Sequence, residues 1–135
     1  MRTVITYGTF DLFHVGHVRL LERASRLGDQ LYVGISTDAF NALKGKTSIM
    51  PFEDRAEIVK ALRCVTHVFP ESAWDQKVDD VRKYEADIFV MGDDWIGKFN
   101  HLNKFCKVIY LSRTEGVSST EIKRCLGNNN NAVNR

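Results

Sequence analysis

Two histidines three positions apart, His14 and His17, are the residues best placed to do chemistry. An apolar, β-branched segment at 4–7 precedes them, and a helical pattern of apolar residues follows them at once. Residues three apart lie on one side of a helical turn, and the N-terminus of a helix favours an anion. Gly8 and Gly16 would let a phosphate approach the backbone. The stretch therefore predicts a polyphosphate site on a strand–loop–helix unit.

A second polar stretch, R-T-E-G-V-S-S-T at 113–120, follows an apolar run and opens a predicted helix. An arginine and three hydroxyl groups at a helix start form another candidate phosphate site. The segment S-S-T-E at 118–121 also matches a capping box, which by itself indicates only a well-capped helix. The two interpretations are compatible, because a capped helix start still offers hydroxyl groups to a phosphate.

The composition indicates one soluble globular domain, with 135 residues, 44% hydrophobic and 27% charged. A formal charge of +2 argues against a general nucleic-acid binder. No apolar run approaches membrane-spanning length, and the N-terminus lacks a signal-peptide pattern. The cysteines are odd in number and widely spaced, which fits neither a disulfide framework nor a zinc site: Cys64, Cys106 and Cys125. We therefore expect a cytoplasmic protein without nucleic-acid or membrane partners.

Apolar segments alternate with helical patterns along the chain, which is typical of a parallel sheet covered on both faces. Strands are predicted at about 3–7, 31–36, 65–69 (ended by Pro70), 88–91 and 108–111. Helices are predicted at about 14–27, 39–43, 51–62, 76–84 and 118–126. The fold class is thus α/β, a single Rossmann-like domain with a five-stranded parallel sheet over 1–127 and a disordered tail at 128–135. Ligands bind such sheets beyond the carboxyl ends of the strands.

These motifs together resemble a known family. The sequence Y-G-T-F-D-L-F-H-V-G-H at 7–17 is similar to the HxGH signature of nucleotidyltransferases. The stretch at 113–120, with V-M-G-D-D-W at 90–95, is similar to signatures of the cytidylyltransferase branch, above all of members that use glycerol 3-phosphate. The resemblance runs from residue 4 to about residue 126, with the three motifs in the same order.

The resemblance implies an enzyme that joins CTP and sn-glycerol 3-phosphate to give CDP-glycerol and pyrophosphate, for teichoic-acid-like or other surface polymers. It implies Mg²⁺ with the triphosphate, and a homodimer. The acceptor phosphate is largely dianionic at neutral pH, because its second pKa is about 6. It needs no general base, so the histidines would act as hydrogen-bond donors. Two alternatives stay open: another polyol or sugar phosphate as acceptor, and a catalytically silent nucleotide-binding domain.

The resemblance also implies roles for individual residues. The catalytic residues would be His14, His17, Lys46 and Arg113. Acceptor-binding residues would be Lys44, Arg55, Trp74, Lys77 and Trp95. The CTP site would comprise Gly8, Thr9, Phe10, Asp11, His14, Gly16, His17, Lys46, Arg63, Gly92, Asp94, Arg113, Thr114, Gly116, Ser118, Ser119 and Thr120. Asp11 and Asp94 would contact the ribose or the metal.

Some of these residues also have a plainer interpretation. Lys44 and Lys46 fit a solvated loop, although in extended chain two residues that flank Gly45 would point in similar directions. Arg55 and Arg63 lie eight apart on a predicted helix, which weakly indicates a shared face. By its residue type alone, Trp74 is more typical of a core. The pair Asp93–Asp94 also fits a simple turn.

Overall fold

The computed structural model describes residues 1–112. Five parallel strands form one sheet in the order β3-β2-β1-β4-β5. They are β1 (Thr3–Gly8), β2 (Gln30–Ser36), β3 (His67–Glu71), β4 (Ile88–Gly92) and β5 (Lys107–Leu111). The α-helices are α1 (Val15–Ser25), α2 (Asp38–Leu43), α3 (Phe52–Lys60) and α4 (Gln76–Lys83), and the 3₁₀ helices are Asp93–Trp95 and Asn100–Lys104. The predicted last helix and the predicted disordered tail lie outside the described residues.

The strands are apolar on both faces, because each face of the sheet has its own core. Val4, Leu31 and Val90 belong to the core on the side of α1 and α3. Ile5 and Phe89, one residue along in register, belong to the core on the side of α4. The predicted α/β class, with a five-stranded parallel sheet and helices on both faces, is confirmed. Within residues 1–112, no helix is both long and apolar enough to cross a membrane.

The strand order reverses at β1, which pairs with β2 on one side and with β4 on the other. In open α/β sheets the crevice at such a reversal, beyond the carboxyl ends of the strands, is where ligands bind. The loop after β1 carries the histidine motif, and the residues after β4 are Asp93 and Asp94. The topology therefore brings two of the three sequence motifs to one edge of the sheet.

The sequence predicted that the third strand is ended by Pro70, and this prediction is wrong. The strand continues to Glu71, and its last pairs with β2 are Pro70 with Ile35 and Glu71 with Ser36. Proline is tolerated because β3 is an edge strand, where a missing N–H need not break a ladder on both sides. The amide of Gln76 donates to the Pro70 carbonyl oxygen at 3.1 Å. The consequence is that Glu71 stands at the carboxyl end of the sheet, opposite Ser36.

Two other local predictions need correction. The first helix begins one residue later than predicted, with His14 as its N-cap, and ends at Ser25. The segment around Gly45 is not extended: Lys44 is the C-cap of α2, and Gly45 has φ of 75°. That left-handed conformation favours glycine and commonly ends a helix. The extended-chain argument for the directions of Lys44 and Lys46 is therefore wrong.

Candidate active site

A cleft of about 530 Å³ opens at the carboxyl ends of the strands. Its wall includes the loop after β1, the residues that follow α2, the end of β3, the start of α4 and the residues after β4. Most of the described residues that the sequence assigned to the site line this cleft. They are Gly8, Thr9, Phe10, Asp11, His14, Gly16, His17, Lys44, Lys46, Trp74, Lys77, Gly92, Asp94 and Trp95.

The loop between β1 and α1 is tightly turned and locally strained. Phe10 and Leu12 both have positive φ, 55° and 48°, which non-glycine residues rarely adopt. The buried Phe10 ring folds back over Gly8, where a Cβ atom would lie 2.8 Å from it. Gly8 is therefore required for this close approach. Phe10 also contacts the His17 ring edge-on, with centroids 5.5 Å apart, so the loop helps to hold the histidine.

His14 and His17 cap the start of α1 reciprocally. The Gly16 N–H donates to His14 Nδ1 at 3.0 Å, and the His14 N–H donates to His17 Nδ1 at 3.2 Å. The N–H of Gly16 is therefore already engaged, so the helix start offers fewer free N–H groups than the sequence alone indicated. Because each Nδ1 accepts a hydrogen bond, the neutral rings carry their protons on Nε2.

Both imidazoles are held in the neutral form. Burial lowers the pKa of His14. Burial, together with the repulsion that a protonated His14 would exert, lowers the pKa of His17 to about 4. His14 Nε2 is buried and has no hydrogen-bond partner within residues 1–112. A buried donor without a partner is costly, so this N–H favours an incoming acceptor oxygen. At neutral pH the pair can donate hydrogen bonds but supplies no added positive charge.

Asp11 fastens the loop after α2 to the loop after β1. Its buried carboxylate accepts backbone N–H groups from Leu12, Ile49 and Met50, at 2.7–3.1 Å. The structure thus gives Asp11 a structural function besides the predicted contact with ribose or metal. Asp94, in contrast, is exposed and lines the cleft. No group of three metal-ligating side chains occurs within the described part of the chain.

A connected cluster of charged and hydroxyl groups lies on the α4 side of the cleft. Lys44 Nζ donates to Ser36 Oγ at 3.1 Å, and Ser36 Oγ donates to Glu71 Oε1 at 3.0 Å. The other oxygen of Glu71 forms an ion pair with Lys77. Burial lowers the pKa of Lys44, although the negative charge of Glu71 opposes this shift. Two lysines that the sequence assigned to the acceptor are therefore joined through one carboxylate.

Aromatic rings surround these lysines. Lys77 Nζ lies 4.8 Å from the centroid of the Tyr7 ring and 5.3 Å from that of Phe99. Lys44 Nζ lies 4.5 Å from the centroid of Phe40. A ring face attracts a cation, and a desolvated pair is worth about 2 kcal/mol. Trp74 is 57% exposed and lines the cleft, so the core interpretation of this residue is wrong.

Arg55 does not line the cleft, contrary to the predicted contact with the acceptor. Its side chain has no exposed surface and donates to the carbonyl oxygens of Thr9, Ser36 and Met50 at 2.7–2.9 Å. It also pairs with the half-exposed Asp38 at 2.5 Å. Arg55 therefore ties together the chain segments that bear the site, and no part of its guanidinium is open to a ligand.

Arg63 is also separate from this cleft, although the sequence assigned it to CTP. Because α3 ends at Lys60, Arg63 does not continue the helix face of Arg55. It is exposed and lines a different, shallow depression with residues of α1. The remaining predicted CTP ligands, Arg113, Thr114, Gly116, Ser118, Ser119 and Thr120, lie outside the described residues.

Several cleft residues were not among those selected from the sequence. Ser36 and Glu71 carry the lysine cluster, and Arg23 donates to the Ser112 carbonyl oxygen at 2.6 Å, beside the start of the 113–120 stretch. The others are Tyr7, Leu20, Phe40, Thr47, Ser48, Met91, Phe99 and Ser112. The sequence carries a signal for Glu71, because a third strand that continues through Pro70 ends with Glu71 at the ligand-binding edge.

The fold and the site define the class of protein. A parallel sheet with a crevice beside β1 and β4, and a capped histidine pair after β1, are typical of a nucleotide-binding α/β site. Residues 5–125 match the family model described as cytidylyltransferase-like. The chain belongs to this cytidylyltransferase-like family and is a nucleotidyltransferase.

The chain is similar to several named proteins and solved structures. The chain is 55% identical to a glycerol-3-phosphate cytidylyltransferase of Bacillus spizizenii, over 92% of this chain and 96% of that protein. It is 52% identical to a glycerol-3-phosphate cytidylyltransferase of Staphylococcus aureus, over 92% and 94%. Among solved structures, a lipopolysaccharide core biosynthesis protein of Thermoplasma volcanium matches with a TM-score of 0.73 and 25% identity, over 85% of this chain and 99% of that one.

Proposed function

We propose that the protein transfers the cytidylyl group of CTP to sn-glycerol 3-phosphate, giving CDP-glycerol and pyrophosphate. Relatives of that name share more than half of the sequence over nearly the full length of both chains. The single structural observation that carries the proposal is His14 Nε2, a buried donor without a protein partner within residues 1–112, on the wall of a cleft that also contains Lys44 and Lys46.

The reaction follows from charge. The acceptor phosphate is already a nucleophile as a dianion, since its second pKa is about 6. One of its oxygens attacks the α-phosphorus of CTP in line, the new P–O bond forms, and the bond to the pyrophosphate oxygen breaks. Pyrophosphate leaves with the electron pair of the broken P–O bond. The principal obstacle is that two polyanions must meet, so the protein supplies cations and hydrogen-bond donors.

The histidines act as neutral donors in this scheme. Their Nδ1 atoms are occupied by backbone N–H groups, so each neutral ring presents Nε2–H. Their lowered pKa values keep them uncharged at pH 7, and the neutral ring still donates through its one N–H, at Nε2. His14 and His17 stabilise the transferring and leaving oxygens, Lys46 contacts the triphosphate, and Arg113 with the rest of 113–120 contacts the nucleotide.

The acceptor occupies the α4 side of the cleft. Lys44 and Lys77 contribute positive charge there, and Trp74 and Trp95 form apolar walls. A three-carbon polyol has little apolar surface, so the lysines, through charge-assisted hydrogen bonds to the phosphate, provide most of its affinity. The same geometry would hold other small polyol phosphates, so acceptors of different polyol length have to be compared experimentally.

The residues present fit Mg²⁺ bound together with the triphosphate. Mg²⁺ is usually held by one or two carboxylates and by substrate phosphates rather than by a protein cage. Asp94 is an exposed carboxylate on the cleft, and Asp11 is a second one already engaged by backbone N–H groups. These two side chains would hold the ion. The chemistry that the ion would supply there is neutralisation of charge on the phosphate oxygens.

The cellular setting belongs to the same proposal. An odd number of widely spaced cysteines supports a reducing compartment, the cytoplasm. We propose that the enzyme acts as a homodimer and that its product enters the synthesis of teichoic-acid-like or other surface polymers. Size-exclusion chromatography with light scattering tests the dimer directly.

Pyrophosphate release from purified protein tests the reaction. CTP with glycerol 3-phosphate and Mg²⁺ should release pyrophosphate, and mass spectrometry should identify CDP-glycerol as the product. Four- and five-carbon polyol phosphates are compared at equal concentration. Faster turnover of a longer polyol would transfer the assignment to that acceptor. Tight CTP binding with no release for any acceptor would make the protein a catalytically silent nucleotide-binding domain.

A further inference from the structure

The carboxylate of Glu71 connects both lysines of the acceptor side. One oxygen accepts the hydroxyl of Ser36, which in turn accepts from Lys44 Nζ, and the other pairs with Lys77. Glu71 is 3% exposed, and Ser36 is fully buried. The four side chains thus form one continuous network on the wall of the cleft.

The register of the sheet creates this network. Ser36 and Glu71 are paired across β2 and β3, so their side chains leave the same face side by side. That face is the one that carries Tyr7 and Phe69, against which α4 packs its Val81. The network therefore depends on rigid elements, which hold polar groups more accurately than loops do.

Lys77 needs this carboxylate most. The residue is 4% exposed, and its ammonium lies among the rings of Tyr7, Trp74 and Phe99. Ring faces attract a cation only weakly compared with a full negative charge. A buried ammonium that loses its counter-charge becomes neutral or moves toward water. Glu71 therefore holds the Lys77 ammonium in place by their ion pair while the cleft is empty.

We infer that Glu71 is a positioning residue for the acceptor phosphate, acting through Lys44 and Lys77. The inference rests on the proposed function, because it takes glycerol 3-phosphate as the acceptor. Glu71 has two opposed effects on a dianion. Its charge repels the phosphate, whereas its hydrogen bonds hold two ammonium groups ready. Because Lys77 is almost completely buried, the second effect dominates, and removing the carboxylate weakens acceptor binding.

The test compares Glu71→Gln and Ser36→Ala with the wild-type enzyme. Glutamine keeps the size of the side chain and removes its charge. Ser36→Ala breaks the link to Lys44 and keeps the ion pair with Lys77. Glu57→Gln, on the exposed surface of α3, is the matched control. Steady-state rates are measured with glycerol 3-phosphate varied at saturating CTP, and then with CTP varied.

Glu71→Gln should raise the KM for glycerol 3-phosphate about tenfold or more, the effect of losing one charge-assisted hydrogen bond. Ser36→Ala should raise it by a smaller factor, and the double variant should be no worse than Glu71→Gln alone, because both changes act on one network. The Kd for CTP from calorimetry should stay within about twofold of wild type, and Glu57→Gln should match wild type throughout.

A lower KM for the acceptor in Glu71→Gln would mean that repulsion dominates and would overturn the inference. Equal losses of CTP and acceptor binding would mean that Glu71 only supports the fold. If Glu71→Gln fails to fold, Ser36→Ala decides, since an unchanged acceptor KM in that variant contradicts the network. A wild-type enzyme inactive with glycerol 3-phosphate would overturn the proposed function itself, whereas an active one with an unaffected Glu71→Gln overturns only this inference.

Discussion

His14 and His17 lie face to face, with ring centroids 4.0 Å apart and planes 22° apart. Each ring uses Nδ1 to accept a backbone N–H from the first turn of α1 or its cap. The opposite edge of each neutral ring carries Nε2–H. One edge of each ring therefore caps the helix, and the opposite edge of His14 carries a buried Nε2–H that has no partner within residues 1–112 and can donate to a phosphate oxygen.

We expect His14→Ala and His17→Ala each to lower kcat on the order of a hundredfold. Removing one donor from a developing charge costs about 3 kcal/mol of transition-state stabilisation. The Kd for CTP should change much less, because most contacts of the nucleotide remain. Rates from pyrophosphate release and calorimetric CTP binding measure the two effects separately. His101→Ala is the control, since His101 is exposed and lies outside the cleft. Near-normal kcat in either cleft variant would contradict the donor assignment.

The histidine pair also predicts a pH dependence. The pKa of His17 is lowered to about 4 by burial and by His14, so its ring should titrate near pH 4 by NMR. In the unfolded chain it titrates near 6.5. The unfolded state therefore binds more protons between these values, and stability should fall as pH drops from 6.5 to 4. Thermal unfolding should show a smaller slope in His17→Asn than in the wild type, and the remaining slope includes the contribution of His14, whose pKa is also lowered.

Arg55 should affect stability, whereas Arg63 should not. Arg55→Ala removes this donor from three carbonyl oxygens and the ion-pair partner from Asp38, so the free energy of unfolding should fall by about 3 kcal/mol or more. Arg63→Ala, at an exposed position just beyond α3, should change it by less than about 0.5 kcal/mol. Urea denaturation measures both. A stable Arg55→Ala protein with a raised acceptor KM would restore the direct contact predicted from sequence.

Lys44→Ala should act mainly on the acceptor. Its ammonium lies at the cleft beside Ser36 and supplies a charge-assisted hydrogen bond, worth roughly 1.5–3 kcal/mol. The KM for glycerol 3-phosphate should rise accordingly, with CTP binding little changed. Lys60→Ala, at the exposed end of α3, is the matched control. An unchanged acceptor KM and kcat in Lys44→Ala would place the acceptor elsewhere in the cleft.

CTP should be strongly preferred over UTP. The preference would come from the stretch at 113–120, since we expect backbone groups near Arg113 and Thr114 to match the amino edge of cytosine. UTP would leave a buried acceptor unpaired, and sites built to bond such a group reject analogues that lack it. Initial rates with the two nucleotides at equal concentration measure this preference. Comparable rates would refute the predicted role of these residues.

The fold and much of the site could be predicted because their signals are local. Five continuous apolar segments identified the strands, and their alternation with helices fixed the parallel sheet. Glycines and polar residues at the ends of β1 and β4 indicated the ligand edge, and the cleft is there. His14 and His17 could be paired from their spacing alone, since one helical turn separates them.

The remaining features depend on contacts between distant segments. In the sequence, Arg55 is one arginine in a polar helix. Its structural role arises only because three separate chain segments place carbonyl oxygens around its guanidinium. The place of Glu71 in the site could not be predicted, because proline usually ends a strand. Edge strands are an exception, but the order of the strands in the sheet must be known to recognise one. The segment around Gly45 has the residue types of an extended loop, but the left-handed conformation of Gly45 makes it the end of a helix.

Pro70 also protects the protein from unwanted association. The Glu71 carbonyl oxygen accepts from Thr37 beside β2, so the backbone groups of Pro70, one residue earlier, face the edge of the sheet that no strand of residues 1–112 covers. Proline offers no N–H there, and its carbonyl oxygen already accepts from Gln76. An exposed strand edge is a template for pairing with other chains. At this point of β3 both backbone groups that could recruit a foreign strand are absent or occupied, so the edge resists aggregation.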